Sequence, residues 1–433
     1  MRAALPKILI ATFGSLGDLH PFIALGQALQ REGFAIVVAT SSEHREAVES
    51  AGLGFTAIKP SAQEVTERLG TDFGGLARRM SENDGFLFKD VIFPHLREAF
   101  DQFLAASEDA VAIVAHSIAF AAQAAAEKRG LPLVVVTLSP VLLYSAHDPP
   151  FASGLPFVPG PRGRLALAYN RALLGLLGRF AQFWAAPLTG FRRDLGLPAR
   201  GPFALFHGPA PGVATIALHS PTLLHAEPHQ GRHVLVAGHS FHDSNAPMEE
   251  SEAEALEAFL SQGPAPVVFT LGSFVAHGHE EHYRACMEAC AALGVRAVLL
   301  AHAEDVARLR AAAPAELHVA PYVPHSLLFP RALVVAHHGG IGTSGQALRA
   351  GKPQLVTPFL GDQQDNAARL RRLGVARTLA GRAINPLRLA RELRALLETP
   401  DYALRARELG AVVSQEDGAS AAAHRIAELL RVS

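Results

Sequence analysis

The sequence of 433 residues lacks an excess of charge of either sign. Lysine and arginine number 39, aspartate and glutamate number 40, and the formal net charge is -1. No broad basic surface is therefore expected for nucleic acid, and a phosphate-bearing ligand would have to be held locally. Cysteine is also scarce, since Cys286 and Cys290 are the two present. They stand four residues apart in a predicted helix, so we expect buried thiols in a reducing cytoplasm rather than a disulfide framework.

Long apolar runs are absent as well. The first apolar run of the chain, Ile8 to Phe13, is short and lacks the cleavage site of a signal peptide, so it is predicted as a buried strand. No uninterrupted apolar span is long enough to cross a bilayer. We expect a cytoplasmic protein whose membrane contact, if it has one, is peripheral to the inner membrane.

The sequence also lacks several short motifs that would define a cofactor or a metal. The dinucleotide fingerprint G-x-G-x-x-G is missing, because Gly14 and Gly17 lack the rest of the pattern. His279 and His282 stand one residue too close for H-E-x-x-H, and the histidines between 219 and 245 match no ligand spacing. No D-x-D pair ends a predicted strand. We therefore expect no metal site and no cofactor.

The residues that are present predict a folded α/β protein. Hydrophobic residues make up 49% of the chain and charged residues 18%, and the length suits two domains. Short apolar runs alternate with helical segments, which is typical of doubly wound parallel sheets. We predict an N-terminal Rossmann-like domain over 1–218, a linker over 219–245, a C-terminal Rossmann-like domain over 246–414, and a final helix over 415–433 that packs back on the N-terminal domain.

The most informative stretch runs from Val335 to Arg369. An apolar strand leads into a turn, Gly339-Gly340-Ile341-Gly342-Thr343-Ser344, and then into a helix and a second strand. Backbone N–H groups and a helix N-terminus at such a turn favour an anion, and a diphosphate is the natural guest. His337 or His338 could donate a further hydrogen bond to it. Asp362, Gln363, Asp365 and Asn366 follow the second strand, where they could reach hydroxyl groups of the same ligand.

In the N-terminal half, polar side chains also follow the carboxyl ends of predicted strands. The segment Gly14 to Pro21 is predicted as a turn after the first strand, with Asp18 at the crevice or serving as a helix N-cap. His116 follows the strand Ala110 to Ala115, either as a site residue or as a turn histidine. The long apolar segment Arg164 to Phe191 could cover a pocket, rest on a membrane surface or pack on the sheet, and the last is favoured.

Four stretches carry a resemblance to a known family. They are GSLGDLHP (14–21), FTLGS (269–273), YVPH (322–325) and HHGGIGTSGQALRAGKPQLVTPFLGDQQDN (337–366). The chain resembles the GT-B glycosyltransferases of the UDP-glycosyltransferase superfamily over nearly its whole length. It is most similar to the bacterial group that holds sterol glucosyltransferases and the rhamnosyltransferase of rhamnolipid synthesis. The resemblance implies two Rossmann-like domains facing across a cleft.

The resemblance also implies a set of contacts to a nucleotide-sugar donor. Tyr322 would stack on the nucleobase, and Asp362 with Gln363 would hold the sugar hydroxyls. His338 falls on the phosphate-binding histidine, with His337 as the alternative. The full set of implied donor contacts is Gly17, Gly272, Ser273, Tyr322, Val323, His325, His337, His338, Gly340, Gly342, Thr343, Ser344, Asp362 and Gln363.

By the same resemblance Asp18 matches the catalytic base. A carboxylate there could take the proton of the acceptor hydroxyl as it attacks the anomeric carbon. His20 and His116 could orient or substitute for it. Gln346 stands where many plant members place a ribose-binding glutamate, and Ile341 and Gly342 replace the tryptophan and asparagine of the plant signature, so UDP and dTDP both remain open.

The expected function is that of an inverting, metal-independent glycosyltransferase. It would move glucose or rhamnose from UDP-glucose or dTDP-rhamnose to a hydroxyl of a hydrophobic acceptor, such as a lipid, sterol, polyketide or phenol. A sugar-nucleotide epimerase of the same fold and a non-catalytic partner subunit are the rival interpretations. We expect a monomer or homodimer that binds no nucleic acid.

Overall fold

A computed structural model describes residues 5–83, 85–151, 155–199, 214–224, 234–242, 248–272 and 280–432. The chain divides into two compact units. One contains the described residues up to His242 together with those from Asp417 onward, and the other contains those from 248 to Glu416. Each unit is built around one parallel sheet. Within the described ranges, no helix combines the length and the apolar character needed to cross a membrane.

The first unit contains a seven-stranded parallel sheet in the order β3-β2-β1-β4-β5-β6-β7. Its strands are β1 Lys7–Ala11, β2 Ala35–Thr40, β3 Gly54–Ala57, β4 Ala110–His116, β5 Leu133–Thr137, β6 Ala214–Ala217 and β7 Val234–Val236. The central strands are mostly apolar and mostly buried, as expected for strands covered on both faces, and β5 is buried along its whole length. The strand order reverses between β1 and β4, so a ligand crevice is expected at their carboxyl ends.

The helices of this unit mostly follow single strands. They are Leu16–Arg31, Arg45–Ser50, Ala62–Leu69, Phe73–Glu82, Leu96–Ala106, Phe120–Arg129, Arg164–Trp184, Ala186–Asp194 and Gly418–Val432, with an irregular π-type turn at Leu87–Ile92 and a 3-10 turn at Phe93–His95. The apolar segment predicted over Arg164 to Phe191 is thus two helices. Helix Gly418–Val432 buries Ala422, Ala423 and Ile426 in this unit, and Gly418 N–H donates to the His239 carbonyl.

The first helix begins earlier than the sequence predicted. Residues 16–20 were expected in a turn because Pro21 follows, but the helix starts at Leu16 and includes Pro21. A capping box explains the difference. The Ser15 hydroxyl accepts the Gly17 N–H, and the Asp18 carboxylate accepts the Ser15 N–H at 2.8 Å. These bonds satisfy N–H groups that would otherwise be open, so Asp18 and His20 lie on a helix rather than in a loop.

The segment predicted as a linker, 219–245, contains part of the first sheet. Val234–Val236 forms β7 and pairs in parallel with β6 through Thr215↔Val234 and Ala217↔Val236. The histidine and proline content of the segment had suggested a connector. The three apolar residues VLV are enough to extend the sheet, because an edge strand needs few hydrogen bonds on one side only. The connection toward the second unit therefore follows β7.

The second unit contains a six-stranded parallel sheet in the order β10-β9-β8-β11-β12-β13. Its strands are β8 Val267–Thr270, β9 Ala297–Leu300, β10 Leu317–Ala320, β11 Val334–His337, β12 Gln354–Val356 and β13 Ala376–Thr378. Its helices are Glu250–Ser261, Glu280–Leu293, Ala303–Ala312, His325–Leu328, Ile341–Arg349, Gln363–Arg372, Pro386–Glu398 and Pro400–Val413. Counted within the unit, the order 3-2-1-4-5-6 repeats that of the first sheet and reverses between β8 and β11. The α/β doubly wound prediction is confirmed.

Candidate active site

The two neighbouring histidines before the glycine turn that follows β11 lie in different environments. His337 is the last residue of β11 and is 1% exposed. Its Nδ1 accepts the Gly339 N–H at 3.0 Å, and its Nε2 lies 2.8 Å from the Gln354 side-chain oxygen. Because Nδ1 is an acceptor, Nε2 carries the proton and donates it to Gln354. Burial lowers the pKa of His337 to about 4, so the ring is neutral with both nitrogens engaged.

His338 has a different environment. Its half-buried ring lies against two glycines, so close that a Cβ at Gly272 would come within 2.5 Å of its Cε1 and a Cβ at Gly340 within 2.5 Å of its Nε2. Its Nδ1 is buried and forms no hydrogen bond within the described residues. Burial lowers the pKa of His338 to about 3, and His337 and His325 add to the effect. A neutral imidazole with an unengaged nitrogen is thus held at the turn.

The helix Ile341–Arg349 opens directly beside this ring. Gly340 is its N-cap and has no side chain that could accept the N–H groups of the first turn. Ser344 is 1% exposed, and its hydroxyl forms no hydrogen bond with any described residue. Thr343 is buried and Gly342 exposed. The turn therefore offers backbone donors, a hydroxyl and an imidazole to an anion at one point.

The residues after β12 are tied to the same turn. Asn366 donates its side-chain amide to the Gly339 carbonyl at 3.0 Å and to the Asp362 carboxylate at 2.9 Å. The Gln363 side-chain oxygen accepts the N–H groups of Phe359 and Leu360. Asp362 is thus held toward the glycine turn, while the Gln363 oxygen shapes the loop that precedes the helix. A buried ion pair between Arg369 and Asp365, at 2.6 Å, fixes that helix.

Other implied donor contacts lie along the same edge of the second sheet. Gly272 follows β8 with φ +73, and Ser273 lies outside the described residues. Tyr322, after β10, is 40% exposed, whereas the Val323 side chain is fully buried, so only its backbone could meet a ligand. The His325 ring stacks on Phe329 with centroids 4.3 Å apart.

In the first unit Asp18 follows β1 and His116 is the last residue of β4, and the strand order reverses between these two strands. Asp18 is partly exposed, and its Oδ2 accepts both the N–H and the hydroxyl of Ser15. His116 is 3% exposed, and its Nδ1 accepts the Ile118 N–H at 3.3 Å. Burial lowers the pKa of His116 to about 4. Its remaining nitrogen therefore carries a proton, and the ring has no free lone pair to act as a base.

His20 and Gly17 occupy other parts of the same helix. His20 is partly exposed, and its ring centroid lies 5.3 Å from that of His242. Residues two apart on a helix point in different directions, so His20 does not share the face of Asp18. Gly17 is an exposed residue of the first turn. Asp18 is the side chain of this group best placed to accept a proton.

A largely apolar pocket of about 40 Å³ opens at the carboxyl ends of β1 to β4. Its lining includes Phe13, Ile92, Phe103 and Phe120, and His95 is a polar member. The spacing of motifs did not reveal this pocket, because its lining comes from several separate segments of the chain. No cluster of three or more histidine, cysteine or acidic side chains suited to a metal is found within the described residues.

Comparisons with known proteins agree with this architecture. Residues 8–143 match the glycosyltransferase family 28 N-terminal domain, and residues 284–429 match the erythromycin biosynthesis protein CIII-like C-terminal domain. The chain is 31% identical over 438 residues to O-mycaminosyltylonolide 6-deoxyallosyltransferase of Streptomyces fradiae, covering 95% of this chain and 94% of that enzyme. It is 25% identical to sterol 3-beta-glucosyltransferase of Debaryomyces hansenii, covering 94% of this chain but 26% of that larger enzyme.

Solved structures show the same fold. The glycosyltransferase of kitacinnamycin superposes with a TM-score of 0.70 at 20% identity, over 99% of this chain and 100% of the other. The spinosyn rhamnosyltransferase complexed with thymidine diphosphate superposes with a TM-score of 0.65 at 19% identity, over 98% and 100%. The two sheets and these superpositions define a GT-B glycosyltransferase fold. The chain belongs to the UDP-glycosyltransferase-like family of glycosyltransferases, and the predicted resemblance is confirmed.

Proposed function

We propose that the protein is an inverting glycosyltransferase that moves a hexose from a UDP- or dTDP-sugar to a hydroxyl group of a hydrophobic small molecule. Its relatives include enzymes named for sterol and tylonolide acceptors, and one solved neighbour is complexed with thymidine diphosphate. These names support a nucleoside-diphosphate donor and an apolar acceptor. The hexose is proposed as glucose or rhamnose.

The observation that carries the proposal is the group of unpaired polar atoms at the glycine turn after β11. His338 Nδ1 and Ser344 Oγ are buried without hydrogen bonds to the described residues, beside a helix N-terminus that no side chain caps. Buried polar atoms are normally paired, so such a group is best explained by a ligand that pairs them. A diphosphate fits in charge and acceptor number. The same donors stabilise the charge that develops on the leaving diphosphate, which is the basis for proposing metal independence.

The proposed chemistry is a single displacement. Asp18 takes the proton of the acceptor hydroxyl as its oxygen attacks the anomeric carbon, and the bond to the diphosphate breaks on the opposite side. Asp362, oriented by Asn366, is proposed to hold the sugar hydroxyls. Tyr322 is proposed to stack on the nucleobase, because its ring is exposed at the carboxyl end of β10.

The apolar pocket of the first unit is the proposed acceptor site. It lies at the carboxyl ends of the same strands, of which Asp18 follows one and His116 ends another, and its aromatic lining suits a hydrocarbon skeleton. The pocket is small, so an acceptor of several rings would occupy it only in part.

The test is a panel in which UDP-glucose and dTDP-rhamnose are each crossed with sterol, macrolide, lipid and phenolic acceptors. We expect a glycoside by mass spectrometry with one donor, an inverted anomeric configuration by NMR, and unchanged rates in EDTA. Retention of configuration or loss of activity in EDTA would refute the corresponding part of the mechanism. Absence of both transfer and donor binding across the panel would refute the assignment of these donors.

A further inference from the structure

The helix Arg164–Trp184 exposes an apolar face. Its outward large side chains are Leu165, Tyr169, Leu176, Phe180 and Phe183, with exposed fractions of 89%, 45%, 62%, 75% and 85%. At 3.6 residues per turn these positions fall within about 60° of one another, and the helix is about 32 Å long. The result is a continuous stripe of aromatic and leucine side chains in contact with solvent.

A second face of this helix, on the other side of the stripe from the arginines, is packed on the first unit. Asn170 is fully buried and bonds the backbone of Ala146 and Val158. The Trp184 ring meets Phe88 at 4.7 Å and Phe93 at 5.5 Å between centroids. The orientation of the helix is thereby fixed, and the outward stripe is not needed to hold it in place. Exposed apolar patches of this extent mark an interaction surface.

Charge around the stripe is of one sign. Between Leu155 and Arg193 the sequence holds six arginines and neither aspartate nor glutamate, although the net charge of the whole chain is -1. Arg162, Arg164, Arg171 and Arg179 are exposed and form no ion pair with any described residue. The last three of these lie on the same side of the stripe, with Arg179 about 40° from its edge and Arg164 and Arg171 about 100–120° from it. A surface that combines apolar bulk with free guanidinium groups matches a bilayer with anionic headgroups.

We propose that the helix Arg164–Trp184 docks this protein on the surface of a membrane that carries anionic phospholipid. The apolar stripe enters the region between headgroups and acyl chains, and the arginines pair with lipid phosphates. A second copy of the chain fits less well, because an antiparallel two-fold contact through the stripe would bring the arginine sides of both helices together without an acidic partner. The inference does not depend on the proposed donor or acceptor.

The test is sedimentation of purified full-length protein with vesicles. Vesicles of phosphatidylcholine alone are compared with vesicles in which about a third of the lipid is phosphatidylglycerol. We expect binding to the anionic vesicles that weakens as salt is raised. The combined variant Leu176→Ser, Phe180→Ser, Phe183→Ser should bind at least about tenfold more weakly.

Two further variants separate the contributions. Replacing Arg164, Arg171 and Arg179 with Gln should weaken binding to anionic vesicles by about fivefold per arginine while leaving binding to neutral vesicles unchanged. The matched control carries Leu387→Ser, Leu404→Ser and Val412→Ser, which alter exposed apolar residues of the second unit. The control should bind as the unaltered protein does.

Two results would overturn the proposal. One is equal vesicle binding by the unaltered protein and by both helix variants, with folding verified by circular dichroism. The other is a dimer in light scattering that becomes a monomer in the serine variant, since that would make a second copy the occupant of the apolar face.

Discussion

His337 and His338 are adjacent in the chain, yet their rings have opposite roles. His337 bonds Gln354 across two paired strands and also caps the Gly339 N–H, so it stabilises the turn. His338 leaves a buried nitrogen without a partner in the described structure and lies against Gly272 and Gly340. The sequence could not separate them, because the residue that engages His337 lies seventeen positions later. This difference is the reason for proposing His338, rather than His337, as the diphosphate contact.

We predict that His338→Ala weakens binding of UDP or dTDP about tenfold to a hundredfold, because it removes a hydrogen bond to a charged group. Unfolding should change little. His337→Ala should instead lower the free energy of unfolding by about 2–4 kcal/mol, since it leaves the Gln354 side chain and the Gly339 N–H unpaired. Isothermal calorimetry and urea unfolding measure the two effects. The assignment is reversed if calorimetry finds the larger binding loss in the His337 variant and stability falls in the His338 variant.

Asp18 is both a capping residue and the proposed base. Asp18→Asn keeps an oxygen that can accept the Ser15 N–H, so the helix should remain intact while the proton acceptor is lost. We predict that kcat falls by about 10²–10⁴ with donor affinity unchanged. Product formation under saturating donor and acceptor measures this.

The matched control for Asp18 is Ser15→Ala. It removes the hydroxyl that bonds the Asp18 carboxylate and caps the helix, but leaves the carboxylate in place. It should cost about 1 kcal/mol of stability and keep kcat within about tenfold. Full turnover by the Asp18→Asn variant would transfer the role of base to His20.

At the scale of elements, two glycine-containing turns, at Gly272 and Gly340, leave the space that the His338 ring occupies. Gly340 has an ordinary φ of -59°, so only space prevents a side chain there. We predict that Gly340→Ala displaces the His338 ring and weakens donor binding about tenfold. If the effect acts through the ring, the same substitution should cost little in a His338→Ala background. Equal losses in both backgrounds, measured by calorimetry, would mean that the added methyl group meets the ligand directly.

The sequence predicted most elements, and its failures have local causes. The strand predicted over Ala110 to Ala115 agrees with β4 to within one residue, since an uninterrupted apolar run defines it. The start of the first helix was missed because Pro21 outweighed the Ser15–Asp18 capping box. Strand β7 was missed because three apolar residues carry little periodicity. The pocket proposed for the acceptor draws on several distant segments, and no spacing rule predicts it.

At the scale of the whole molecule, both units use one strand order without a recognisable sequence repeat. In each, a glycine-containing turn follows the first strand and a histidine follows or ends the fourth. His116 and His337 both end such a strand, are nearly inaccessible and accept a backbone N–H at Nδ1. The shared geometry predicts a shared response to acid, because each ring is buried in its neutral form.

Burial lowers the pKa of His116 and of His239, both in the first unit, to about 4. Between pH 6.5 and 4 the unfolded chain binds protons that the folded unit does not, so stability falls as the pH falls through this window. The loss is about 3 kcal/mol per histidine and levels off near pH 4. Above pH 6.5 these groups should add no pH dependence.

The sole tryptophan, Trp184, lies in the first unit, so its fluorescence reports unfolding of that unit. We predict that urea midpoints followed by this signal fall steeply from pH 6.5 to 4. His116→Asn keeps an acceptor for the Ile118 N–H but cannot take up a proton, so it should flatten the slope by about one proton. A variant that unfolds with the unaltered slope would show that His116 is protonated in the folded unit. That result would also reopen its candidacy as a catalytic group, since the argument against His116 as a base rests on a neutral ring whose one lone pair is engaged.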